Sequence, residues 1–148
     1  MGRGLIIVLM VILGFAGSAR AQTGAPPSRF ANWTSAIVAA DWRDGSDRPI
    51  QAFDNARKDL VKGFLAAGFS RSNMVDYSLR PDVPEPTSAS AVVDGITAAA
   101  TRGTAGCLLY FTSHGAPNAM VFGVAPRMTP DMMANIVRSA CGTRPTVV

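Results

Sequence analysis

Two short runs limit what this chain can become. Trp33-Thr-Ser-Ala-Ile-Val-Ala-Ala40 and Cys107-Leu-Leu-Tyr-Phe111 have the length of strands and are apolar almost throughout. A run of this kind reads as a strand of the core, and it needs cover on both faces. The cover is present in the pattern. Pro49 opens a helix in which Phe53, Ala56, Leu60, Phe64 and Ala67 recur at three- and four-residue steps before Gly68. Ser88 to Thr101 is an alanine-rich helix carrying Val92, Val93 and Ile96, broken by Gly103 to Gly106. Thr129 caps a third helix, with Pro130 at its first position and Gly142 at its close. Asn73 to Ser78 is a further short strand, Ala119 to Gly123 marks a hairpin, and Pro145 to Val148 begins a fourth core strand. Strands and helices alternating in this way predict an α/β sandwich with a mainly parallel sheet.

Residues 1–21 stand apart from this scheme and read as a signal peptide. Arg3 is a short basic start, Leu5 to Phe15 an apolar run, and Ala19-Arg20-Ala21 a small-x-small cleavage signal. The run falls short of the roughly 20 residues that span a bilayer. The chain is therefore expected to be exported, to the periplasm or the medium, with no membrane attachment after cleavage. Residues 22–32, rich in Pro, Gly and Ser, read as a leader to a single domain over 33–148. Arg3 and Arg20 would leave with the signal, so the formal charge of +4 falls by two. What remains is scattered, which argues against a nucleic-acid partner. Two cysteines and one histidine far apart make no zinc pattern, no Walker or Gly-x-Gly-x-x-Gly loop occurs, and no cofactor is expected. Met128, Met132 and Met133 read as fill of the third helix.

Parallel sheets carry their chemistry on the loops beyond the carboxyl ends of the strands, here Asp41 to Arg48 and Thr112 to Ala116. His114 is the only histidine of the chain and lies in the second of these loops. Imidazole there can act as a base or acid near neutral pH. Gly115 lets the backbone turn sharply and leaves its N–H open to a developing oxyanion. Without more, His114 can equally be a structural residue pinning a loop. Ser113 is an unsuitable nucleophile, because adjacent residues at a strand end point to opposite sides and no Gly-x-Ser-x-Gly elbow is present.

The segment Gly106-Cys-Leu-Leu-Tyr-Phe-Thr-Ser-His-Gly-Ala-Pro117 resembles the one that carries the catalytic histidine in the caspase and legumain group of cysteine peptidases. Arg48-Pro-Ile-Gln-Ala-Phe-Asp-Asn-Ala-Arg-Lys-Asp-Leu60 is similar to the loop and first helix of that group, and Gly142-Thr-Arg-Pro-Thr-Val-Val148 to the approach to its nucleophile. The resemblance, nearest to bacterial legumain-like members, implies a three-layer caspase/hemoglobinase-like sandwich, incomplete at its C-terminal end. It implies a cysteine endopeptidase acting on a peptide or protein substrate, after Asn or Asp. His114 would be its base and acid, Gly115 its oxyanion donor and Arg48 the receiver of the side chain before the cut bond. Asp41 stands near where legumains place a helper asparagine; it would either orient His114 or cap its own loop. The family's cysteine lies beyond the strand that starts at Pro145, so the 148 residues are expected to be inactive by themselves. Neighbouring third and fourth strands, as the resemblance implies, would put Cys107 and Cys141 at one end of the sheet, paired in a disulfide or left as buried thiols. The rival expectation is an exported peptide-binding module without catalysis. An open sheet edge at the C-terminal strand predicts self-association.

Overall fold

The computed structural model describes residues 27–84, 86–124 and 127–148. The expected signal peptide, with the first part of the leader, lies outside the described residues. The domain is α/β: four parallel strands and three helices. In chain order the strands of the main sheet are β1 (Trp33–Ala39), β2 (Met74–Ser78) and β3 (Gly106–Thr112). The helices are α1 (Ala52–Ala66), α2 (Ala89–Ala100) and α3 (Pro130–Ile136). A small antiparallel sheet, β4 (Gly115–Ala116), β5 (Ala119–Val121) and β6 (Arg127–Met128), follows β3, and β7 (Thr146–Val147) ends the main sheet. The main sheet has the order β2-β1-β3-β7, so the two apolar runs are its two central strands.

Alternation along those strands supplies a core on each face. Ala36, Val38, Cys107 and Leu109 turn toward Val92 and Ile96 of α2 and Ile136 of α3. Ile37, Leu108 and Tyr110 turn the other way, toward Leu60, Val61 and Phe64 of α1. Both helices on the first face start as their sequences direct. Ser88 Oγ accepts from the N–H of Ala91, and Thr129 Oγ1 from that of Met132, ahead of Pro130. The segment Val137–Cys141 continues α3 as a turn of π-helix, and Cys141 is joined to Cys107 by a disulfide, Cα–Cα 5.7 Å. The bond fastens α3 to the amino end of β3, next to β7. Among the described residues no helix is long and apolar enough to cross a membrane.

Three local expectations change. Pro49 does not open α1, which begins at Ala52. Pro49 bridges Arg43, the N–H of Ile50 donates to Trp42 O (2.8 Å), and the buried Arg80 holds Ile50 O (3.2 Å). These contacts close the 41–50 loop before the helix can start. The expected hairpin at Ala119–Gly123 is two: its strand β5 is entered by a turn at Pro117-Asn118, with Asn118 at φ 54°, and left through Gly123 toward β6. Gly123 spends its positive φ of 77° on bringing its N–H to Ala40 O (2.8 Å). Finally, the end of the supposed leader belongs to the domain. Phe30 stacks on Phe69 at 4.7 Å and meets Trp33 edge-on, and Ser28 Oγ donates to Ala67 O.

On the α1 face the buried Asp54 is tolerated because it is surrounded by cations. Burial raises its pKa, and the hydrogen bonds and charges of Lys58 and Arg57 outweigh that and lower it. Arg57 also reaches Asp76 of β2, where Arg71 joins it, so the helix is tied to the edge strand by charge as well as by packing.

Candidate functional site

The site follows from strand register. β1 and β3 pair so that Ala39 lies opposite Thr112. Two residues further along both chains, the same offset puts Asp41 level with His114. Alternation sends both side chains to the face of Ile37 and Tyr110, and there Asp41 Oδ2 lies 3.0 Å from His114 Nδ1. The first turn of α1 supplies the remaining wall. The Phe53 ring stands edge-on to the imidazole, centroids 5.0 Å apart. Ser113, one residue out of phase, is turned away: its Oγ donates to Val121 O (2.6 Å) and is occupied in holding the hairpin.

Asp41 is a well-tethered acid. It is 3% exposed, and its Oδ1 accepts from the N–H of Trp42 (2.8 Å), the N–H of Arg43 (3.3 Å) and Arg43 Nε (2.9 Å). It therefore caps its loop with one oxygen and orients His114 with the other. Burial is the largest single influence on its pKa and pushes it up. The hydrogen bonds from His114, Arg43 and the Trp42 N–H, with the charge of Arg43, outweigh burial and hold the carboxyl below its ordinary value. A carboxylate beside Nδ1 fixes the tautomer in which Nδ1 carries the proton and Nε2 the lone pair. Nε2 has no hydrogen-bond partner among the described residues. The ring, with a side chain 43% exposed, looks onto a cavity of about 520 Å³.

That cavity is walled by the 41–47 loop on one side and by Val121 to Val124 and Arg127 on the other. Arg43 is engaged by Asp41 and stands 3.7 Å from Asp47. Asp44 accepts from the N–H groups of Arg48 and Ser46, which lower its pKa. Arg127 has no ionic partner among the described residues, and it is the cation that faces the cavity unused.

Arg48, expected to receive a substrate side chain, does not line the cavity. Its guanidinium folds back on Asp44 at 2.7–2.8 Å, and its side chain is 77% exposed. Sequence reasoning missed Arg43, Phe53 and Arg127. The only sequence signal for Arg43 was its position two residues after an acid, the spacing of a side chain that returns to its neighbour. Gly115 is in place after His114, without the sharp turn expected of it: its φ is not in the left-handed region, and a Cβ there would meet nothing within 4 Å. It lies opposite Met120, while Val121 N–H donates to His114 O (2.9 Å). In an antiparallel ladder bonded pairs alternate with unbonded ones, so the Gly115 N–H points away from β5. Cys107 and Cys141 are bonded to each other at the opposite end of β3. No cluster of three or more His, Cys, Asp or Glu among the described residues could hold a metal ion.

The fold and site together define an α/β domain with an acid-oriented histidine at the carboxyl end of a parallel sheet. Compared with known proteins, the chain matches no family model and no curated protein.

Proposed function

We propose that this domain carries the histidine half of a cysteine endopeptidase of the caspase and legumain kind, acting outside the cytoplasm. The observation that supports it is the Asp41–His114 pair, 3.0 Å apart, with Nε2 facing a cavity at the carboxyl ends of β1 and β3. In this reading Nε2 takes the proton of a thiol, and the thiolate attacks a peptide carbonyl. The imidazolium then protonates the departing amine, and water, deprotonated by the same nitrogen, releases the acyl group. Gly115 is not among the residues lining the cavity, but its N–H, free of β5 and next to His114, is in this reading the donor to the developing oxyanion. Arg127 takes the role first assigned to Arg48 and meets an acidic or amide side chain before the cut bond. Both cysteines of the chain are held in a disulfide, so in this reading neither of them is the nucleophile. That disulfide is at home in an exported protein. β7 is an edge strand of the main sheet and Val147 on it is exposed, so self-association through this edge belongs to the same reading.

The test is to express the protein from its full gene and assay peptides with Asn or Asp before the scissile bond. Cleavage that falls at least a hundredfold in His114→Ala is the expected result. Unchanged cleavage in His114→Ala would end this reading. A second reading is supported by the lack of any free thiol in the chain itself: a peptide-binding module that uses the same cavity without catalysis. It predicts binding of those peptides with no cleavage in any version.

A further inference from the structure

The Asp41–His114 pair has a third member. Arg43 donates from Nε to Asp41 Oδ1 at 2.9 Å, on the oxygen that His114 does not use. Its guanidinium lies over the Trp42 ring, 4.5 Å from the centroid, and Nη2 reaches Gly123 O at 3.5 Å. Gly123 is the residue whose N–H is anchored on Ala40 O. Arg43 thus spans the cavity wall from the 41–50 loop to the chain after β5, and Asp41 is shared between two cations whenever His114 is protonated.

We propose that Arg43 sets the charge of this pair. Its Nε binds the Asp41 oxygen that His114 does not use, and its charge, drawing on the same carboxylate, limits how firmly the imidazole holds a proton. The backbone N–H groups of Trp42 and Arg43 also hold Asp41 Oδ1, so the carboxylate stays in place when the side chain of Arg43 is changed. The electrostatic part can therefore be read by itself. The other charges around the ring are few. Asp44, on the cavity wall with His114, is paired with Arg48; Asp47 stands 3.7 Å from Arg43 itself; and Arg127 lines the other side of the cavity. Nearest on α1, beyond the uncharged Phe53, is Asp54, which is paired with Arg57 and Lys58. Val121 and Ser113 on the hairpin side carry no charge.

A single histidine makes the test direct, because the imidazole carbon-bound protons of His114 give one set of resonances whose shift follows protonation. The intact chain is titrated by NMR as wild type, Arg43→Gln, Arg43→Lys and Asp41→Asn. Removing a partly screened neighbouring charge raises the midpoint in Arg43→Gln by roughly one pH unit. Arg43→Lys keeps the charge and stays near the wild type, and Asp41→Asn falls below it. An Arg43→Gln midpoint equal to or below the wild type overturns the proposal. Should Arg43→Gln fail to fold, Arg43→Lys decides: a midpoint within about 0.3 of wild type supports the charge role, and a displacement near one unit in either direction refutes it. None of these readings needs peptidase activity, so the proposal stands or falls apart from the function proposed above.

Discussion

Replacing Asp41 by Asn tests whether the site is an ordered pair or two residues that happen to be near. The carboxylate accepts four hydrogen bonds, three on Oδ1 and one on Oδ2. An amide has one accepting oxygen. Placing its NH2 group on the Oδ1 side would oppose donors with donors, from Trp42 N–H and the Arg43 fork. The amide oxygen therefore stays there and the NH2 group faces His114. The ring must then accept at Nδ1, and its proton moves to Nε2. Three charge-assisted bonds, those from the Trp42 N–H, the Arg43 N–H and His114, become neutral ones, while the bond from Arg43 Nε keeps its charged donor; at about 1 kcal/mol each the loss is about 3 kcal/mol. That is a visible part of a typical 5–15 kcal/mol and displaces a urea midpoint by roughly 1 M or more. The loss depends on pH in a direction fixed by the lowered pKa of Asp41. In the unfolded chain this acid takes up its proton near the ordinary value of about 3.9, and in the folded chain only below it. Its contribution is complete above about pH 4 and is lost as pH falls through the folded-state value. Wild type and Asp41→Asn should therefore differ at pH 7 and converge in acid. The imidazole 15N shifts should report Nδ1–H in the wild type and Nε2–H in the variant. Equal urea midpoints from pH 7 down to pH 3, or an unchanged tautomer, would refute the pairing.

The disulfide and two glycines offer further checks. Reducing Cys107–Cys141, or replacing both by alanine, frees a separation of 34 residues and should cost about 4 kcal/mol by loop-closure entropy, read as a fall in the urea midpoint under reductant. A Cβ on Gly103 would sit 2.4 Å from the backbone nitrogen of Thr34, so Gly103→Ala should lose about 1–3 kcal/mol and melt several degrees lower. Gly115→Ala meets open space, and its unfolding free energy should match the wild type to within roughly 0.5 kcal/mol, whatever it does to catalysis.

How much of this was legible in the sequence depended on how local each determinant is. β1 and β3 were plain because strands buried on both faces are apolar throughout, and α2 and α3 because Ser88 and Thr129 cap within three residues of themselves. Pro49 misled because it is a helix-start signal that a partner six residues back, Arg43, recruits into a bridge. Gly123 was legible as part of a hairpin, since it lies on the way from β5 to β6, but its contact with Ala40 O was not. His114 could be picked out as the only histidine at a strand end, and Asp41 as the acid at the end of the other central strand. Arg48 lies outside the cavity lining because its guanidinium turns to Asp44, four residues back, a pairing whose spacing was readable but whose precedence over the cavity was not. Arg127 was invisible because its approach to the cavity requires β6 to pair with β5.

The one long-range quantity the site needs is the β1–β3 register. A slip of one residue would set Asp41 level with Ser113 or Gly115 and turn every core side chain of one strand to the wrong face. The alternation of Ile37 against Ala36 and Val38, and of Leu108 and Tyr110 against Cys107 and Leu109, forbids that slip, because each set is claimed by different helices. The apolar pattern that makes the strands legible is thus also what aligns the acid with the histidine. Asp41 and His114 share a face because the core residues behind them fix which way each strand is turned.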